Sequence, residues 1–155
     1  FAIHLQPEPT HLVAVAAATP ILFAAACTEA PKADPTNAAQ VAAGKIVYAA
    51  HCASCHGADL EGQRDWKSRN PNGRMPAPPH DDSGHTWHHA DDILLGIIKV
   101  GVAPPYAPAG YQSDMPAFAG TLTDKQMLDV LAYIKSRWSP RMREAQSQIS
   151  RQQRK

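Results

Sequence analysis

Two cysteines and a histidine lie within five consecutive residues: Cys52, Cys55 and His56. Two thiols separated by two residues, with a histidine directly after the second, are the attachment pattern of a c-type haem. Each thiol can form a thioether with one porphyrin vinyl group, and the histidine is then close enough to bind the iron from one face. The pattern therefore predicts one covalently bound haem c, attached through Cys52 and Cys55 and ligated by His56.

Two other kinds of site use cysteines at this spacing. A redox-active dithiol is expected in a strand-rich βαβ context, which the sequence lacks, and a structural zinc site needs a second ligand pair. The chain has three cysteines in all, so no second pair exists. These observations favour haem attachment over both alternatives.

The first 27 residues are interpreted as a separate segment. Leu12 to Ala26 is an apolar, Ala-rich run of 15 residues, which is short for a membrane span of about 20 residues but suits a secretion signal. The small residues before Cys27 resemble the processing box of bacterial lipoproteins, in which that cysteine carries the lipid. We expect residues 1–27 to be a signal peptide or lipoprotein signal, with export to the periplasm or the outer face of the cytoplasmic membrane. An ordinary cleaved signal, with Cys27 incidental, is the alternative.

Helical patterns dominate the rest of the chain, and no strand pattern is present. We predict helices at about 35–51, 88–101 and 123–138. Asp34 and Pro35 are suited to the N-cap and first position of the first helix. Thr123 and Gln126 form a capping box at the start of the last helix, and Gly101 is suited to end the second.

Long irregular segments separate these helices. The Pro-rich stretch 57–84 is polar and without periodicity, and a loop this long in a compact domain is usually functional or wrapped around something. Residues 28–34 are predicted to be a linker, 35–138 a folded domain, and 139–155 a basic C-terminal tail. The tail has five basic residues against one acid, and is expected to be either a frayed helix or disordered.

The order of these elements, together with three short segments, resembles the class I cytochromes c. The segments are Cys52-Ala53-Ser54-Cys55-His56-Gly57, Asp114-Met115-Pro116-Ala117-Phe118 and Leu131-Ala132-Tyr133-Ile134-Lys135. The resemblance covers about residues 35–138. It implies an all-α, cytochrome c-like fold, with about three main helices wrapped around a covalently bound haem, in which Gly44 lies at a helix crossing beside Tyr48 and Tyr133.

The same resemblance implies the remaining ligand of the iron. In the family, the methionine of a Met-Pro segment ahead of the last helix binds opposite the histidine, which here is Met115. A neutral thioether suits low-spin iron, and Met/His ligation raises the haem potential. Met75 also precedes a proline, but it lies in the loop expected to pass the histidine side. For either methionine, filling an apolar gap is the alternative role.

The family also uses a loop proline to accept a hydrogen bond from the iron-binding histidine. Pro76, Pro78 and Pro79 are the candidates for this role. Trp87, Tyr106 and Tyr111 are expected either to line the haem pocket or to pack in the core.

A cluster rich in histidine lies between residues 80 and 89. It contains His80, Asp81, Asp82, His85, His88 and His89. On a helix, His85 and His89 would share a face, a spacing that binds copper or zinc. The alternative is a polar loop that leads into a helix, with Trp87 buried beneath it.

These features predict an exported one-electron carrier rather than an enzyme. It would exchange electrons with a donor and an acceptor protein, in the membrane or the periplasm, through transient encounters. The formal net charge of +1 argues against nucleic acid as the main partner. The alternatives are a haem subunit or small-molecule-binding haem enzyme with an open sixth site, and a copper-binding redox module that uses the His80–His89 cluster.

Overall fold

The computed structural model describes residues 30–153, so the predicted signal segment and Cys27 lie outside the described residues. From Pro31 onward the chain forms one compact unit. Its helices are α1 (Ala38–His51), α2 (Ala53–His56), α3 (Asp91–Val100), α4 (Asp124–Ser136) and α5 (Pro140–Gln153), with a 3-10 turn at Thr86–His88. No strand occurs between residues 30 and 153, which confirms the all-α fold class. Within that range, no helix has the length and apolar character needed to cross a membrane.

The largest contact between helices is the crossing of α1 and α4. Gly44 lies at this crossing, where a Cβ atom would be 1.9 Å from the carbonyl oxygen of Asp129. The rings of Tyr48 and Tyr133 meet beside it, with centroids 5.3 Å apart. Gly44 thus allows two backbones to approach closely, as predicted, and most residues of α4 are buried.

The start of α1 differs from the prediction. The helix begins at Ala38, and its N-cap is Asn37, whose side chain accepts a hydrogen bond from the Gln40 N–H. Asp34 instead accepts from the N–H and hydroxyl of Thr36, at 2.8 and 2.7 Å, in a turn that precedes the helix. Both residues are good caps, and the local turn at Asp34 competes successfully with helix formation.

The second predicted helix begins slightly later than expected. The backbone N–H groups of His88 and His89 bond to the carbonyls three residues earlier, which makes a 3-10 turn. The extended conformation of Ala90 then separates this turn from α3. The helix ends at Gly101, as predicted, where φ is 78°.

In the C-terminal third, the structure confirms the predicted capping box and shows more order than predicted in the tail. The capping box of Thr123 and Gln126 at the start of α4 is confirmed. The segment predicted to be a frayed or disordered tail is the helix α5, whose Gln146 and Ser150 are buried. These two buried residues of α5 are polar, although Met142 also packs against the core, so hydrophobic periodicity did not reveal the packing of this helix.

Candidate haem site

The predicted attachment residues lie together at the end of α1. The Cys52 N–H bonds to the Tyr48 carbonyl, and the His56 N–H bonds to the Cys52 carbonyl, both at 2.9 Å. Cys52 is the N-cap of the short helix α2, which carries Cys55 and His56, so the two thiols and the imidazole lie on one turn. Cys52 is half-buried and Cys55 is exposed, and both are free. The Tyr48 hydroxyl donates to the Gly57 carbonyl at 2.9 Å and so holds the chain where it leaves the motif.

The imidazole of His56 is held in a single orientation. It is 8% exposed, and its Nδ1 lies 2.8 Å from the Pro78 carbonyl oxygen. A carbonyl can only accept, so Nδ1 donates and Nε2 keeps its lone pair. Of the three prolines considered from the sequence, the structure places Pro78 in this role. Such a bond orients a ligating histidine and increases its basicity.

The environment of the site also favours the neutral forms of His56 and Cys52. Burial lowers the pKa of His56, although the hydrogen bond to Pro78 opposes this effect. Burial, with a smaller contribution from neighbouring Cys55, raises the pKa of the Cys52 thiol to about 11. A redox-active dithiol depends on a lowered thiol pKa, so the environment of Cys52 argues against that alternative. Two free thiols and an oriented, neutral imidazole fit the attachment of a haem.

His80 was placed in the histidine cluster from the sequence, but the structure brings it to His56. The two rings stack with centroids 3.9 Å apart and planes 20° apart. His80 Nδ1 lies 2.8 Å from Thr86 Oγ1, and the His80 carbonyl accepts from the Trp138 indole at 2.7 Å. His80 thus connects the site to the 3-10 turn and to the end of α4. Because His56 and His80 are 24 residues apart, no local sequence pattern indicated this contact.

The rest of the histidine cluster does not converge on one point. His85 stacks on Trp66, with centroids 5.3 Å apart, and His85 and His89 are 5.7 Å apart. Between residues 30 and 153, no group of three or more His, Cys, Asp or Glu side chains is arranged to hold a metal ion. The arrangement agrees with the alternative of a polar loop that leads into a helix.

Both candidate methionines are half-buried. Met115 packs against the core cluster, and its N–H donates to Ser113 Oγ at 3.1 Å. Met75 lies in the loop between α2 and the 3-10 turn. An ion pair between Arg74 and Asp114 joins the residues that directly precede the two methionines.

The aromatic residues considered from the sequence have different surroundings. Tyr106 packs against α3, with its hydroxyl so close to Gly96 that a Cβ atom there would overlap it. Tyr111 lies beneath the Arg69 guanidinium, 5.7 Å from the ring centroid. Trp87 packs against the core, and its ring lies 3.8 Å from that of His88.

Comparison with known proteins agrees with this geometry. Residues 41–138 match the family model described as Cytochrome c. The chain is 34% identical over 109 residues to "Cytochrome c-555" of Prosthecochloris aestuarii, an alignment that covers 61% of this chain and 84% of the relative. No solved structure matches significantly.

Proposed function

We propose that this chain, which belongs to the class I, monohaem cytochrome c family and so carries covalently bound haem c, is an exported one-electron carrier. In this proposal Cys52 and Cys55 attach the haem, and His56 and Met115 ligate its iron. Membership of the family supports the general activity, electron transfer between redox partners. When bound, the haem iron supplies the one-electron couple. The chain supplies the attachment, the ligands and their orientation.

The contact between His56 Nδ1 and the Pro78 carbonyl carries this proposal most directly. It fixes the ring and leaves the lone pair of Nε2 free to bind iron, while burial of the ring favours its neutral form. A ligand held this way keeps the same position in both oxidation states. Little reorganisation is then needed for electron transfer, as an electron carrier requires.

Met115 is proposed as the second ligand because of its place in the chain. It precedes Pro116 in the segment ahead of α4, and it is half-buried beside the core. Met75 lies only 19 residues after His56, in the same loop that supplies Pro78 to the histidine side.

Absorption spectra of the ferric holoprotein test the choice between the methionines. We expect the charge-transfer band from methionine to iron to disappear in Met115→Leu and to persist in Met75→Leu, which serves as the matched control. Loss of the band in Met75→Leu alone would assign the ligand to Met75. A wild-type protein without the band would contradict Met/His ligation altogether.

Export is proposed from the sequence of residues 1–27. Covalent attachment of haem in bacteria is completed outside the cytoplasmic membrane, which agrees with an exported protein. The mass of the mature N-terminus tests this proposal: cleavage before Cys27 with added acyl chains indicates a lipoprotein, and the same cleavage without acyl chains indicates a soluble periplasmic protein. An intact N-terminal segment on the haem-loaded protein would contradict export by this signal.

A further inference from the structure

We propose that Arg74 and Asp114 are positioning residues that hold the Met115 segment against the loop between α2 and the 3-10 turn, so that one loop orients the ligands on both sides of the haem. We call residues 57–85 the connecting loop. This inference rests on the proposed ligation by His56 and Met115. It extends that proposal by giving the connecting loop a role at the methionine.

The ion pair joins two parts of the chain that are 40 residues apart. Arg74 Nη1 contacts Asp114 Oδ1, and the next residue after Asp114 is Met115. The side chains of the pair are 38% and 56% exposed. The pair is therefore next to the proposed ligand, while remaining accessible to solvent.

Arg74 lies in a turn that is stabilised by internal hydrogen bonds. The Arg74 carbonyl accepts from the Asn70 N–H at 2.9 Å, and the Arg74 N–H donates to Asn72 Oδ1 at 3.0 Å. Arg69 starts the same turn and donates to the Gly73 carbonyl at 2.6 Å. Because these bonds limit the conformations of the turn, the backbone of Arg74 is already ordered where its side chain pairs with Asp114.

A second contact joins the same two segments. The Arg69 guanidinium lies over the ring of Tyr111, 5.7 Å from its centroid. A cation at this distance from an aromatic face is attracted by the ring. Two cations from one turn thus reach the segment from Tyr111 to Asp114, just before the proposed ligand.

The same part of the connecting loop is also fixed at the histidine. The Gln63 N–H donates to the Ala77 carbonyl at 2.9 Å, and the Ala77 N–H donates to Gln63 Oε1 at 2.9 Å. These bonds precede Pro78, whose carbonyl accepts from His56. Pro78, which contacts His56, lies four positions after Arg74, which contacts Asp114.

The Met115 segment, residues 114–117, is an irregular stretch between α3 and α4, and contacts with other parts of the chain hold it in place. After it, the N–H groups of Phe118 and Ala119 bond to the carbonyls of Ile98 and Lys99, at 3.1 and 3.0 Å. These bonds fix the C-terminal side of the segment to α3. The Arg74–Asp114 pair fixes the other side, so Met115 lies between two attachments.

Imidazole binding to the ferric holoprotein measures how readily the methionine leaves the iron. A half-exposed ion pair has a modest effect, so we expect Arg74→Gln and Asp114→Asn each to increase the apparent affinity for imidazole by about two- to five-fold. The two substitutions change the local charge in opposite directions, so an effect of charge alone would move the affinity in opposite directions. The positioning role predicts a shift in the same direction.

Two further variants complete the test. Arg151→Gln removes an exposed ion pair with Glu144, whose side chains are 54% and 62% exposed, and should leave the affinity for imidazole unchanged. The charge-exchanged variant, Arg74→Asp with Asp114→Arg, should restore the wild-type affinity at least in part. Unchanged affinity in both single variants, or opposite shifts, would overturn the inference.

Failure of the inference can be distinguished from failure of the proposed function. If the wild type shows the charge-transfer band from methionine to iron and Met115→Leu loses it, the proposed ligation stands. The imidazole titrations then test only the positioning role of the Arg74–Asp114 ion pair. If the wild type lacks the band or loses it only in Met75→Leu, the proposed ligation fails and the inference fails with it.

Discussion

Gly44 is a residue at which one added methyl group is expected to disturb the whole fold. In Gly44→Ala the new Cβ would lie 1.9 Å from the Asp129 carbonyl oxygen and 2.9 Å from Tyr133 Cβ. The first of these atoms belongs to backbone and cannot rotate away, so we expect the free energy of unfolding to fall by about 1–3 kcal/mol. Urea unfolding of the holoprotein measures this change.

Gly120→Ala is the matched control for this prediction, because no atom lies within 4 Å of a Cβ atom there. Its free energy of unfolding should remain close to that of the wild type. Equal stability of the two variants would contradict the close approach of α1 and α4 at Gly44.

His80 is predicted to influence the orientation of the His56 ring. The two rings are stacked at 3.9 Å, so His80→Ala removes one wall of the space around His56. We expect the paramagnetically shifted haem-methyl resonances of the ferric protein, which report the plane of the axial imidazole, to move in this variant. His80→Phe, which keeps an aromatic ring, should move them less. Identical shifts in His80→Ala and the wild type would contradict a role in orientation.

At the scale of residues, patterns within a few positions were predictable and contacts between distant positions were not. Cys52, Cys55 and His56 form a contiguous motif, and the structure brings them onto one turn. Pro78 was one of three candidate acceptors, because a run of prolines does not indicate which carbonyl faces the histidine. The stacking of His80 and the pairing of Arg74 with Asp114 depend on how the loops fold back, and no local spacing encodes them.

At the scale of elements, the N-terminus of α4 offers a direct test. Thr123 Oγ1 accepts from the Gln126 N–H at 3.2 Å, and the Gln126 side chain accepts from the Thr123 N–H at 2.9 Å. Thr123→Ala removes this cap and should reduce the free energy of unfolding by about 1 kcal/mol. Thr121→Ala, at an exposed position before the helix, should have little effect in the same urea experiment. Similar losses in the two variants would contradict the role of the cap.

The helix α5 is expected to stabilise the start of α3 through buried polar contacts. Gln146 is fully buried and donates to Asp91 Oδ1 at 2.7 Å, while Ser150 Oγ accepts from the Asp91 N–H at 3.0 Å. Gln146→Ala removes three hydrogen bonds of a buried side chain, to the His89 carbonyl, Asp91 Oδ1 and Ser150 Oγ, so we expect a loss of about 1–3 kcal/mol. Hydrogen exchange at the Asp91 amide should accelerate in parallel.

Gln148→Ala is the control for α5, because Gln148 is exposed and bonds only along its own helix to Glu144. It should leave exchange at Asp91 unchanged. If Gln146→Ala also left that exchange unchanged, α5 would not stabilise α3 in this way.

Elements with local signals were predicted better than elements held by distant contacts. The capping residues of α4 and the terminal Gly101 of α3 were correctly identified from their own sequence. The predicted start of α1 was wrong because Asp34 and Asn37 are both suited to capping. Asp34 forms the preceding turn, and Asn37 caps the helix. The packing of α5 was missed because it buries a glutamine and a serine, which a hydrophobic pattern does not register.

At the scale of the whole molecule, stability is expected to decrease below neutral pH. Burial and neighbouring histidines lower the pKa of both His85 and His89 below 6.5. The unfolded chain then binds protons more readily than the folded one, so the free energy of unfolding should fall as the pH is lowered from 7 to 5. Asp34 and Glu144 titrate below this window, because hydrogen bonds lower the pKa of each carboxyl.

Urea unfolding at pH 7 and pH 5 measures this dependence. The double variant His85→Gln with His89→Gln should show a smaller decrease than the wild type. An equal decrease in both proteins would assign the pH dependence to other groups.

Carbon monoxide binding to the reduced holoprotein tests the central claim most directly. An electron carrier in which His56 and Met115 both remain on the iron has no open position, so the absorption spectrum of the wild type should be unchanged by carbon monoxide. The same treatment of Met115→Leu should shift the spectrum, which shows that the assay detects an open site. A rapid shift in the wild type would contradict the closed electron carrier and would favour a haem protein that binds small molecules.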